Sequence, residues 1–203
     1  MFNSNEKFLF IHPTKTGGTA IEDFFERYYG HRILGKGHGI TCACAANPII
    51  VFRDPYERIL SIYYYFKYGA EDLPKHRPKS DRGNITIQQF LESILNSKIN
   101  KYFDHYFIID HIRPQAFWYD DRLCKNIVLK YSKDLNAQAQ KLLKHIGEPE
   151  SKNKIPLKNI TKNKRAINLS DDQKTIIKEL YKADFILQDY INNKPEKFRL
   201  VID

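Results

Sequence analysis

No apolar run in this chain is long enough to cross a bilayer, and the N-terminus lacks the hydrophobic core of a signal peptide. A soluble protein of the cytoplasm or another intracellular space is the expectation. Cysteine is scarce as well. Cys42, Cys44 and Cys124 are an odd number and form no even disulfide framework. Cys42 and Cys44 stand too close in sequence to bridge one another. With His38 they offer three metal ligands without a fourth, at a spacing that fits no common zinc pattern, so no metal site is expected. Buried or half-buried free thiols in a reducing compartment are expected instead. Acidic side chains are the minority charge: 24 Asp and Glu face 33 Lys and Arg, a net +9 that favours anionic partners. A nucleotide, an acidic glycan and a nucleic acid would all qualify, but no RNA-binding signature or helix-turn-helix pattern supports the last. Internal repeats and low-complexity tracts are missing too. What remains is 42% hydrophobic and 13% aromatic over 203 residues, which excludes general disorder and fits a single domain spanning 1–203.

The most informative stretch is Lys7 to Glu22. Lys7-Phe8-Leu9-Phe10-Ile11-His12 is rich in strand formers. His12-Pro13-Thr14-Lys15-Thr16-Gly17-Gly18-Thr19 follows, and Ala20, Ile21, Phe24 and Phe25 then fall at helical spacing. Gly17-Gly18 permits a sharp turn and a close approach of bare backbone. Free N–H groups at a helix start, hydroxyls and one lysine make an anion cradle suited to phosphate. The nucleoside-triphosphatase P-loop places its lysine after the glycines, beside a magnesium-binding hydroxyl. Here Lys15 precedes Gly17-Gly18 and none follows, so that motif does not apply. A tight strand-to-helix connection with a solvent-facing lysine is the plain alternative.

A second turn has the same design. Pro48-Ile49-Ile50-Val51-Phe52 reads as a buried parallel strand. Arg53-Asp54-Pro55 follows, with Pro55 suited to a first helical position, and Ile59, Leu60, Ile62, Tyr63 and Phe66 continue as an amphipathic helix. Arg53 and Ser61 have the donors to close on one terminal phosphate. A surface pair between Arg53 and Asp54 or Glu57, with Ser61 as helix filler, is the alternative.

The overall pattern predicts an α/β protein with a central parallel sheet and flanking helices. Strands are expected at 7–12, 48–53 and 126–131, with a shorter one near 106–110. Helices are expected at 18–29, 55–67, 86–97, 112–120, 134–146 and 170–190, the last opened by a Ser170 cap with Gln173 at the third position. Residues 69–85 read as a mobile, acceptor-side loop and 147–166 as a polar, Lys-rich connection.

The paired turns resemble those of the 3′-phosphoadenosine-5′-phosphosulfate (PAPS)-dependent sulfotransferases, in particular the Golgi-type glycan enzymes of the heparan sulfate/uronyl 2-O-sulfotransferase branch. The first motif stands here as Pro13-Thr14-Lys15-Thr16-Gly17-Gly18-Thr19, with Thr14 inserted relative to the common form. The second runs from Arg53-Asp54-Pro55 through Arg58 and Ser61 to Tyr63-Tyr64-Tyr65. Arg113-Pro114-Gln115, Asn126 to Tyr131 and Ala183-Asp184-Phe185 are later echoes. The resemblance implies a three-layer, P-loop NTPase-like fold and transfer of a sulfuryl group from PAPS to a hydroxyl, on a carbohydrate. Golgi-type relatives carry an anchor and stem that this sequence does not show, so either a soluble intracellular protein or a bare catalytic core is expected.

The same resemblance implies the site. Lys15, Thr16, Gly17, Gly18, Thr19 and Ala20 would hold the 5′-phosphosulfate, and Arg53 and Ser61 the 3′-phosphate. Lys162 and Lys164, in a Lys-rich segment at 158–165, would close over the nucleotide, although a charge run is also a common solvated face. No metal is needed. His38, between the two motifs, is the expected base, because its ordinary pKa suits proton removal near neutrality and the 2-O-sulfotransferase branch uses a histidine there. Glu22, His31, His105 and His111 are rival bases. Arg113 and Gln115 would touch an acceptor or merely open a helix, and Arg58 would pair with Glu57 or a neighbouring carboxylate. The Tyr63–Phe66 run is core and helix surface, with one ring free to border an adenine. A small-molecule or nucleoside kinase on a related fold, and a non-catalytic nucleotide- or polyanion-binding protein, are the competing functions.

Overall fold

The structure, a computed structural model, describes residues 8–30, 33–37, 47–68, 85–99, 105–119, 123–131, 134–155 and 167–203. Among these, five strands form one all-parallel sheet: β1 (Phe8–Ile11), β2 (Ile33–Gly37), β3 (Asn47–Phe52), β4 (Ile127–Lys130) and β5 (Leu200–Ile202). Their order is β2-β1-β3-β4-β5. The helices are α1 (Gly18–Tyr29), α2 (Pro55–Tyr68), α3 (Ile87–Leu95), α4 (His105–Ile112), α5 (Leu135–Ile146), α6 (Asp171–Leu180) and α7 (Lys182–Asn193). The α/β class read from the sequence is the one observed.

The residues gather in two compact units, one drawn from Met1–Arg53, Gln115–Lys158 and Leu187–Asp203, the other from Asp54–Pro114 and Asn159–Ile186. The first unit contains the sheet. Successive strand residues point to opposite faces. Phe8, Phe10, Ile49, Val51, Ile127 and Leu129 pack on one face with Phe24 and Phe25 of α1 and Leu142 and Leu143 of α5. Leu9, Ile11 and Ile50 face the other way, against Trp118 of a 3₁₀ turn at Gln115–Trp118. On that same side Phe52 and Val128 meet Leu187 and Ile191 of α7. Because both faces are covered, the strands carry continuous apolar runs.

Local signals explain the helix ends. Asp134 caps α5 by accepting from the Ala137 N–H, and α5 stops at Gly147 in the left-handed conformation. In the second unit, Asp54 accepts from the Glu57 N–H as Pro55 opens α2, and Ser170 and Gln173 form the expected capping box on α6. That unit has its own core, in which Ile62, Tyr63, Phe90, Leu91, Ile108 and Ile177 meet.

Several expectations need correction. The stretch expected as a short strand near 106–110 lies in helix α4, since a brief apolar run cannot distinguish a buried strand from a buried helix. The helix expected at 112–120 is only the 3₁₀ turn at Gln115–Trp118, with Pro114 just before it. The expected 170–190 helix is two, interrupted at Tyr181 (φ −117°, ψ 30°). Strands β2 and β5, both at sheet edges, were not anticipated. Cys124 is exposed instead of buried. The 158–165 segment, Cys42 and Cys44 fall outside the described residues, as does all but the last residue of the 69–85 loop. Among the described residues no helix is long and apolar enough to cross a membrane.

Leu142 is wholly buried against the sheet. Leu142→Ala is expected to cost about 2–5 kcal/mol of unfolding free energy in a urea titration, and a loss below ~1 kcal/mol would contradict the packing described.

Candidate functional site

In an open parallel sheet, ligands bind beyond the carboxyl ends of the strands, where successive connections leave in opposite directions. Here the chain passes from β1 to β2 on one side and then to β3 on the other, so the switch lies between β1 and β3. Ile11, the last residue of β1, pairs with Ile50, and β3 runs on through Val51 and Phe52. Arg53 therefore stands beyond the end of β1, beside the loop that leaves it.

That loop, His12 to Gly17, feeds α1 directly. Gly17 is its N-cap, with φ 79°, ψ 5° and no capping side chain. An α-helix leaves its first N–H groups without intrahelical acceptors, so Gly18, Thr19 and Ala20 present donors at the positive end of the helix dipole. Lys15 is also left-handed, with φ 63°, a conformation costing a non-glycine residue roughly 1–2 kcal/mol. Its side chain is half-buried and Thr19 is exposed, whereas Thr14 and Thr16 are buried. The Thr16 hydroxyl donates to the Pro13 carbonyl at 2.7 Å, so that side chain fastens the loop to itself.

The two glycines are required for different reasons. At Gly17 the positive φ disfavours any side chain, and a Cβ would lie 2.6 Å from the Tyr131 ring. Gly18 has ordinary helical geometry, but a Cβ there would overlap the side chain of His12 outright. His12 is 2% exposed, and its Nε2–H donates to Glu22 Oε2 at 2.5 Å. Strand end and helix are thereby fastened below the cradle. Glu22, a rival base on sequence, is engaged with His12.

Arg53 joins this assembly through both its backbone and its side chain. Its N–H donates to Gln115 Oε1 at 2.9 Å, and its carbonyl accepts from Gln115 Nε2 at 2.8 Å. Its Nη1 donates to the Lys15 carbonyl at 3.1 Å. The guanidinium carbon lies 4.4 Å from the centroid of the Tyr131 ring, the same ring that covers Gly17. Two motifs far apart in sequence thus meet, within one unit, at an arginine and a lysine beside an uncapped helix start. A family model described as Sulfotransferase family matches residues 42–190.

The chain belongs to the sulfotransferase family. The matched span includes Arg53, Ser61, Gln115 and Tyr131, while the Lys15 loop precedes it. No curated protein matches this sulfotransferase.

Of the residues marked by sequence, Lys15, Thr16, Gly17, Gly18, Thr19, Ala20 and Arg53 lie together in the first unit. Ser61 is half-buried on α2, in the second unit. His38, His31, Lys162 and Lys164 fall outside the described residues. Gln115, considered for an acceptor, is fully buried and bonded to Arg53. Arg113 is ion-paired to Asp110 at 3.8 Å. His111 stacks on Tyr65, with ring centroids 5.3 Å apart, and its carbonyl accepts from Arg58 Nη2. Arg58 itself is 1% exposed, so it does not sit on the helix surface. Near it, burial pushes the Tyr181 phenol up, Arg58 opposes the rise and Asp184 adds to it. Sequence reasoning missed His12 and Tyr131, whose only signal is that each ends an apolar strand pattern.

Gly18→Ala forces a methyl into the space of His12. The expected loss exceeds the ~1–3 kcal/mol of ordinary overpacking, read by chemical denaturation; a neutral substitution would contradict the packing of α1 on His12.

Proposed function

We propose that this sulfotransferase moves a sulfuryl group from PAPS to a hydroxyl, on a carbohydrate acceptor. The observation that carries the proposal is the Arg53–Lys15 contact, which places a guanidinium and a lysine at one uncapped helix start. The donor set suits a doubly phosphorylated nucleotide: fixed N–H groups and Lys15 for one phosphate, a forked guanidinium for the other.

Lys15, with the Thr16 to Ala20 backbone, holds the 5′-phosphosulfate in this assignment. Arg53 and Ser61 hold the 3′-phosphate, and Lys162 and Lys164 cover the nucleotide. When bound, PAPS supplies a sulfuryl group on an anhydride whose cleavage leaves adenosine 3′,5′-bisphosphate. Lys15 offsets the negative charge that grows on the 5′-phosphate, a preorganised electrostatic role that needs no movement during reaction. His38 takes the proton of the acceptor hydroxyl. Support for His38 is its place in the sequence between the two motifs, where the resembling branch uses a histidine. The net charge of +9 suits an anionic acceptor, an acidic glycan among others.

Thermal-shift titration with adenosine 3′,5′-bisphosphate, AMP and ATP, with and without magnesium, tests the proposal. The bisphosphate should stabilise most and without metal, by about 2.7 kcal/mol at a hundredfold excess over Kd. A larger, magnesium-dependent response to ATP would favour a kinase instead. Lys15→Ala should lower kcat by roughly 10²–10³-fold, with a smaller loss of nucleotide affinity. His38→Ala should lower the rate by about 10²–10⁴-fold at unchanged bisphosphate affinity. An unaltered rate would reassign the base.

A further inference from the structure

Gln115 makes an unusual pairing. Its side-chain amide satisfies both backbone groups of a single residue, Arg53, one bond at 2.9 Å and the other at 2.8 Å. A neighbouring strand would normally do this, but β1 ends at Ile11, opposite Ile50, and leaves Arg53 beyond its reach. On the other side of β3, the backbone bonding pattern continues only as far as the Tyr131 N–H, which donates to the Phe52 carbonyl. The amide of Gln115 therefore extends the bonding of the sheet by one residue, at Arg53. Gln115 is itself fully buried, so the bonds form away from competing water. With its backbone held there, Arg53 has its guanidinium delivered between the Lys15 carbonyl and the Tyr131 ring.

We infer that Gln115 is a positioning residue for nucleotide recognition. It fixes the main chain of Arg53 and so determines how well the protein distinguishes a 3′-phosphorylated nucleotide from one lacking that phosphate. The inference rests on the proposed role of Arg53. It replaces the acceptor contact expected for Gln115 from the sequence. Its chemistry is specific: an amide supplies one donor and one acceptor in a fixed plane, matching one N–H and one C=O. An ionised glutamate keeps the acceptor but has no donor for the carbonyl, whereas a protonated one would restore both bonds. Methionine keeps the length and loses both bonds.

The readout is the ratio of Kd for 5′-AMP to Kd for adenosine 3′,5′-bisphosphate, measured by calorimetry well below each variant's melting temperature. Through the Lys15 loop Arg53 bears on both constants, but only the second includes its contact with the 3′-phosphate, so the ratio isolates that contact from loop support and general stability. Gln115→Met should cut the wild-type ratio by about tenfold, with the AMP constant altered less than about threefold, and Gln115→Glu should do the same at a pH where the new carboxyl is ionised. In an Arg53→Ala background, Gln115→Met should leave the ratio where Arg53→Ala alone puts it. An undiminished ratio in a folded variant, or a further additive drop in the double variant, overturns the assignment of Gln115 alone. A wild-type protein that does not favour the bisphosphate overturns the proposed function along with it. A wild-type measurement covers the case in which the variants fail to fold. Although Arg53 lies past the end of β3, its amide should exchange slowly by hydrogen–deuterium exchange, at a rate like that of Val51; fast exchange overturns the assignment.

Discussion

The bond from Arg53 Nη1 to the Lys15 carbonyl explains why the cradle has the shape it does. Lys15 adopts a left-handed conformation that a branched or ordinary residue avoids, and something must hold it. A charge-assisted donor is worth about 1.5–3 kcal/mol, enough to offset that strain. The left-handed turn points the Lys15 carbonyl at the arginine. The bond is possible only because β1 and β3 are parallel neighbours whose carboxyl ends share one edge. Sheet topology, loop strain and charge placement therefore depend on one another. Exchanging the order of the strands would separate the two cations and leave the loop unsupported.

The glycines show how the cradle stays open without a side chain of its own. Tyr131 presses on Gly17 from β4's end, and His12 fills the space beside Gly18 while bonded to Glu22. Each neighbour is placed by a strand, so the backbone N–H groups of α1 are shaped by the rigid sheet instead of by a flexible loop. Tyr131 also lies against the guanidinium of Arg53, which makes one aromatic ring common to both halves of the site.

What the sequence disclosed followed from how local each signal was. β1, α1, β3 and α2 were legible nearly to the residue, because apolar runs, paired glycines and Asp54-Pro55 act over a few positions. β2 was hidden by Gly35 and Gly37, which weaken strand propensity and are tolerated at a sheet edge. β5 is too short to announce itself and exists through its pairing with β4. The Tyr106–Ile109 run was ambiguous by nature, and the packing of Ile108 into the second unit's core decided for helix. Lys15 and Arg53 were legible as chemistry, but nothing near Gln115 signals its partner 62 positions away. Side-chain-to-backbone pairing over such a distance arises only from the completed fold.

The family match and the cradle geometry are largely independent. The match begins at residue 42, so it owes nothing to Lys15, Gly17 or Gly18. The cradle is argued from dihedral angles, an uncapped helix and the crowding around two glycines, none of which requires a family. The two lines converge on Arg53, which belongs to the matched span and donates to the loop outside it. A loop merely joining a strand to a helix would have no need of a buried arginine at its strained residue, nor of a second buried residue bonded to both of that arginine's backbone groups. Burying a guanidinium costs several kcal/mol unless its surroundings recover it. The protein meets that cost just past the end of β3, at the sheet position where open parallel sheets bind ligands, which is the ground for the anion site proposed there.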